Sequence, residues 1–147
     1  MANRSPEQDL IDSFVESLKS NANLNIQIDE IFNKNCKAKK FADIEYVAKN
    51  GQRWAIEAKS NDSKDAHNSV HKLFGELLKE TGRDKREQIL IGILIPESSI
   101  SFYSRLFQSI DRNKFIKFGE LIPVKCVFTF GQSGVLTRTW TELYDEH

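Results

Sequence analysis

Residues 88–95 read QILIGILI, with apolar side chains at odd and even positions alike. Successive side chains of a strand point to opposite faces, so such a run belongs where both faces of a sheet are covered. Pro96 follows it. A strand buried on both sides needs packed layers above and below, and the flanking sequence offers helices for them. Leu10, Ile11, Phe14, Val15 and Leu18 recur at helical spacing. Ser5 can cap that helix, Pro6 suits its first position, Gln8 can close a capping box, and the asparagines at 21 and 23 end it. Val70, Leu73, Phe74, Leu77 and Leu78 mark a second helix over residues 66–80, with Gly82 as its stop. Ile100, Tyr103, Leu106, Phe107 and Ile110 mark a third.

Strands fill the intervals. Leu24, Ile26 and Ile28 alternate with polar neighbours towards Phe32. Residues 41–48 and 52–59 read as a hairpin around Asn50-Gly51. Val124, Cys126, Phe128 and Phe130 share a face of a strand over 123–130, and 135–140 reads as a last edge strand. The order predicts an α/β sheet with helices packed on its faces. The 147 residues fit a single domain over 1–147, and a 39% hydrophobic content with 10 Phe suffices for a core.

Composition removes several function classes. With 21 basic and 21 acidic residues the formal charge is zero, which argues against coating nucleic acid through bulk charge but leaves room for a local basic face. No apolar run has signal-peptide or membrane-span length, so no membrane association is expected. Cys36 and Cys126 form neither a metal spacing nor a disulfide framework, and a reduced, cytoplasmic protein is the expectation. No Gly-rich phosphate loop is present, which excludes a nucleoside triphosphatase of that type. His67 and His71 lie one helical turn apart, but the glutamate of a zinc-protease motif and a third ligand are missing. No motif supports Ser-His-Asp or Cys-His catalysis.

The chemistry concentrates in the hairpin. In residues 54–59, WAIEAK, alternation places Trp54, Ile56 and Ala58 on one face and Ala55, Glu57 and Lys59 on the other. On the preceding strand Asp43 and Glu45 share a face opposite Ile44 and Tyr46. Pairing of the two strands can bring both charged faces to one side of the sheet. Two carboxylates from adjacent strands suit a hard divalent cation such as magnesium. Such an ion polarises a phosphodiester and lowers the pKa of bound water, and a lysine on the same face can stabilise charge building on phosphate. The same pattern also describes a solvated strand face with a surface ion pair.

Asp43, thirteen intervening residues, then Glu57-Ala58-Lys59, resembles the signature of the PD-(D/E)xK nuclease superfamily. The setting, an apolar strand carrying E-x-K with a hairpin before it and a helix after it, is similar to that of small members such as archaeal Holliday junction resolvases. Ala42 replaces the family's proline, and the Q-x-x-x-Y element of the RecB-like branch is not evident in the following helix. The resemblance implies a restriction-endonuclease-like fold, a mixed central sheet flanked by helices on both faces. It implies Mg2+-dependent endonuclease activity on DNA, with Mn2+ as a substitute. Asp43 and Glu57 would be metal ligands, Ala58 would offer its carbonyl, and Lys59 would be the catalytic lysine. A homodimer is within the family's range, and the phenylalanines between 102 and 130 suit an interface or a core. The alternative is a non-catalytic nucleic-acid- or protein-binding module on the same fold.

Around this centre, Glu7 lines up with the buried stripe of the first helix and is the better candidate for a helix-borne acid than Glu16 on the opposite face. An acid in a first helical turn is also favoured by the helix dipole alone. Glu45 is either a further ligand or a bystander, and Ser60 either contacts phosphate or ends the strand. Lys34, Lys37, Lys39 and Lys40 crowd the loop before Asp43 and form the candidate nucleic-acid grip, although a lysine run also describes a solvated loop. Arg83, Lys85 and Arg86 follow the second helix, and Arg112, Lys114 and Lys117 follow the third. The acidic end, 142–147, reads as a loose tail.

Overall fold

The computed structural model describes residues 6–20, 25–37, 42–59, 75–77, 89–121 and 124–145. Its elements are α1 (Pro6–Ser20), β1 (Ile28–Asn33), β2 (Ile44–Ala48), β3 (Arg53–Ala58), β4 (Ile89–Pro96), α2 (Ile100–Phe107), α3 (Arg112–Leu121), β5 (Val124–Gly131), β6 (Gly134–Arg138) and α4 (Trp140–Asp145). The strands form one six-stranded sheet in sequential order, β1 to β6. The pairs β3–β4 and β4–β5 are parallel, and the outer pairs are antiparallel. A mixed sheet with helices on both faces is the expected α/β class, consistent with a restriction-endonuclease-like fold. Among the described residues no helix is long and apolar enough to cross a membrane.

Two apolar layers clamp the sheet. On one face Leu10, Ile11, Phe14, Val15 and Leu18 of α1 pack on Ile44, Tyr46, Trp54, Ile56, Leu94 and Phe128. On the other, Ile91, Ile93, Ile95 and Val127 meet Leu77, Tyr103, Phe107, Phe115, Trp140 and Leu143. The run at 88–95 thus feeds both cores by parity, as a central strand must. Its glycine has a packing reason: a β-carbon at Gly92 would stand 2.9 Å from Phe128 Cε2. Phe128 uses that room to meet Phe14 and Trp54 edge-on, each at 5.3 Å between centroids. The aromatics between 102 and 130 therefore fill core rather than surface.

Several sequence expectations shift. β1 begins at Ile28, after a turn at 25–26, rather than near Leu24. The third helix, α2, ends at Phe107, short of the expected Ile110, and Arg112, Lys114 and Lys117, which follow it, form part of a further helix, α3. Asp111 immediately precedes α3, its carbonyl accepting from Phe115 N–H. Residues 142–145 of the supposed acidic tail belong to α4, which Trp140 opens rather than ending a strand. The reason is a capping box: Glu142 N–H donates to Thr139 Oγ1 at 3.0 Å and Thr139 N–H to Glu142 Oε1 at 2.7 Å. Trp140 Nε1 then donates to the Phe115 carbonyl at 2.7 Å and Tyr144 OH to that of Ile110 at 2.6 Å. Arg112 grips Asp145 through two nitrogens. Residues 75–77 are helical and bury Leu77. The rest of the second helix, with Ser5, Ser60, His67, His71, Arg83, Lys85 and Arg86, lies outside the described residues.

The flat stack of Phe115 on Trp140, 4.2 Å between centroids and 3° from parallel, yields a test. Alanine is normally better than glycine inside a helix by about 1 kcal/mol. At Gly119 its β-carbon would run into the Trp140 indole, and overpacking costs about 1–3 kcal/mol. Gly119→Ala should therefore lower the melting temperature by several degrees; an unchanged or higher value would refute this account of the α3–α4 contact.

Candidate metal and phosphodiester site

The β2–β3 hairpin turns through Lys49, Asn50 and Gly51, with Ala48 N–H bonded to the Gln52 carbonyl at 2.8 Å and Gly51 at φ 88°. That φ lies where glycine alone is comfortable. Asn50 Oδ1 accepts from Gln52 N–H at 3.0 Å and tightens the turn. The turn thus includes Lys49 beyond the expected Asn50-Gly51 pair. In the resulting register Ile44 faces Ile56 and Glu45 faces Ala55. Continued by one step, it sets Asp43 against Glu57. The backbone ladder stops there, and the Asp43 side chain takes over: Oδ2 accepts from Ala58 N–H at 2.9 Å. This substitution explains why β2 starts at Ile44 rather than at residue 41.

The turn carrying Asp43 is held from both sides. Glu45, with no solvent exposure, accepts from Ala42 N–H at 2.8 Å through Oε2 and from Arg53 Nη2 at 3.0 Å through Oε1. Asn33 Nδ2 donates to the Ala42 carbonyl at 2.7 Å. Arg53 in turn lies over the Phe32 ring, 4.6 Å from its centroid. Glu45 is therefore occupied as a brace beneath Asp43 instead of standing open as a further ligand.

Glu57 is 3% exposed and Lys59 7%, which excludes the solvated-face account of this strand. Glu57 pairs in register with Ile93 of β4, and Lys59 N–H extends the same ladder to the Leu94 carbonyl at 2.9 Å. The side chains thus lie on the face of Ile91 and Ile93, opposite α1. Burial pushes the Asp43 carboxyl up to about 6. The Ala58 N–H, a hydrogen bond with Glu57 and the nearby Lys59 charge pull it down, and the Glu76 carboxylate adds to the rise. Two carboxyls that close in a dry setting call for a proton or a cation between them.

Glu76 is the residue that sequence reasoning missed. Its Oε1 stands 2.6 Å from Lys59 Nζ. It comes from the crossover between the parallel strands β3 and β4, where Leu77 packs into the Ile91–Ile93 core. Nothing in the D…E-x-K spacing points to it, because its position depends on how that crossover lies on the sheet.

No family model matches the chain, and no curated relative matches it. A solved structure of similar fold exists. It is an XisH family protein from Nostoc punctiforme PCC 73102, 16% identical, with a TM-score of 0.55, covering 88% of this chain and 95% of that one. What the two share is the fold.

Of the other expected site residues, Glu7 lies on α1, and Lys34 and Lys37 on the loop after β1. Lys34 and Lys37 are exposed, and their loop is tied to α1 through Gln8, which donates to the Lys34 carbonyl and accepts from Cys36 N–H. Lys39 and Lys40 lie outside the described residues. Glu7 sits half-buried in the first turn of α1. The stripe it continues packs on the face away from the carboxylates, and among the described residues Glu7 makes no hydrogen bond to Asp43, Glu57 or Lys59. A cleft of about 570 Å³ lined by Asn50, Gln52, Trp54, Leu90 and Arg138 opens at the hairpin-turn end of the sheet, away from the acids.

The donor set fits magnesium, which takes one or two carboxylates and completes its shell with water and substrate phosphate. Among the described residues no three Asp, Glu, His or Cys side chains cluster tightly enough to cage an ion.

The raised Asp43 pKa has a consequence for the metal-free protein. A carboxyl whose pKa rises on folding contributes its stability below about pH 4, and that contribution is lost as pH climbs through about 6. Asparagine keeps an acceptor for Ala58 N–H and carries no charge to bury. Asp43→Asn should melt higher than the parent at pH 8, by up to about 3 kcal/mol, with the gap closing towards pH 4. A gap that is absent, or independent of pH, in thermal melts would contradict this description of the carboxylate pair.

Proposed function

We propose that this chain is a metal-dependent endonuclease of the PD-(D/E)xK type acting on DNA. The observation that carries the reading is the meeting of Asp43, just before β2, and Glu57 of β3, with Lys59 on the same sheet face. Buried charge without a task is costly, and the same three residues match the D…E-x-K spacing. The fold shared with an XisH family protein supports a nuclease-like scaffold beneath them.

Asp43 and Glu57 would hold Mg2+ or Mn2+, with the Ala58 carbonyl beside them. The bound ion supplies Lewis-acid polarisation of the phosphodiester and a more acidic water. Lys59 places its ammonium where negative charge grows on the phosphate, in surroundings dry enough to make that charge count. Asn33, Glu45 and Arg53 keep the Asp43 turn fixed, so its carboxylate needs little rearrangement. Lys34 and Lys37, with Lys39 and Lys40, would steady flanking phosphates. With no net charge on the chain, that contact is local and sensitive to salt.

Purified protein with Mg2+ or Mn2+ should nick or cut supercoiled DNA. Glu57→Ala and Lys59→Ala should each lower the rate by about 100-fold or more. Variants that cut as well as the parent would remove the assignment. DNA retention without cleavage or Mn2+ uptake would identify a binding module instead.

A further inference from the structure

We propose that Glu76 is a positioning residue that holds the Lys59 ammonium on the crossover side, so that it does not compete with a divalent cation for Asp43 and Glu57. The proposal rests on reading Asp43 and Glu57 as metal ligands and adds a residue outside the D…E-x-K pattern.

Lys59 follows Glu57 by two residues in an extended segment, so its side chain leaves from the same face of the sheet. Its Nζ is almost buried, with the side chain 8% exposed, and a buried ammonium must find a carboxylate. A flexible four-carbon stem starting two residues from Glu57 has two carboxylates within reach, the same two a metal would use. An ammonium settled between them would compete directly with the cation. Glu76 offers a third carboxylate, 29% exposed, from the crossover side, and the ammonium sits against it at 2.6 Å.

The contact at 2.6 Å is a tight ion pair that holds the ammonium on the crossover side.

The test is a double-mutant cycle read as Mn2+ affinity by calorimetry on the full chain, without nucleic acid. Glu76→Gln should weaken Mn2+ binding about tenfold or more, because the ammonium falls back onto Asp43 and Glu57. In a Lys59→Met background the same change should cost less than about threefold, since no ammonium is left to divert. Glu76→Asp should stay near the parent. Equal loss in both backgrounds would make Glu76 a metal ligand and overturn the proposal. No loss in either would overturn it while leaving the metal reading intact, whereas a parent that takes up no Mn2+ removes both. Thermal melts report folding. A Glu76→Gln variant that fails to fold while the double variant folds counts against the proposal, because the pair then serves the fold.

Discussion

The β2–β3 hairpin turns through three residues, and that odd count decides which side chains share a face. Side chains alternate along a strand, so a slip of one residue sends a whole set to the other side. A two-residue turn at Asn50-Gly51 would set Asp43 against Ala58 and send its carboxylate into the apolar layer beneath α1. With Lys49 in the turn and Gly51 at positive φ, Asp43 faces Glu57 instead. One backbone conformation far from the acids thereby fixes their meeting.

Holding these charges in a central strand is expensive, and the fold spreads the cost. Asp43 is partly repaid by the Ala58 N–H that the interrupted ladder leaves without a backbone partner, Glu45 by Ala42 N–H and Arg53, and Lys59 by Glu76. What remains is carried by the apolar layers on both faces. Each buried aliphatic or aromatic side chain contributes roughly 1.5–3 kcal/mol, so cores of this size can carry a site whose carboxylates repel one another.

Periodicity made much of this legible in the chain. The α1 stripe, the two-sided β4 and the shared face of Glu57 and Lys59 follow from spacing alone, because residues two or about four apart must share a face, whereas Asp43 joins them only through the three-residue turn. Glu76 was not legible. Seventeen positions separate it from Lys59, and only the lie of the crossover brings them together. Two short helices were missed for a different reason. α3 follows α2 too closely for two stripes to separate, and α4 is six residues long. Its sign was local, the Thr139-x-x-Glu142 box, and was masked by the acidic composition around it.

Helix α4 also bears on the order in which the molecule assembles. Trp140 reaches back 25 positions to the Phe115 carbonyl, and the Tyr144 carbonyl accepts from Ser104 Oγ, 40 positions away. The aromatic layer over β4 and β5 is therefore closed by residues that leave the ribosome after everything they cover. Until they emerge, Phe107 and Phe115 lack the Trp140 ring that both pack against. Before α4 is made, the α1 face already has all its partners, while the aromatic face over β4 and β5 still lacks Trp140, Leu143 and Tyr144.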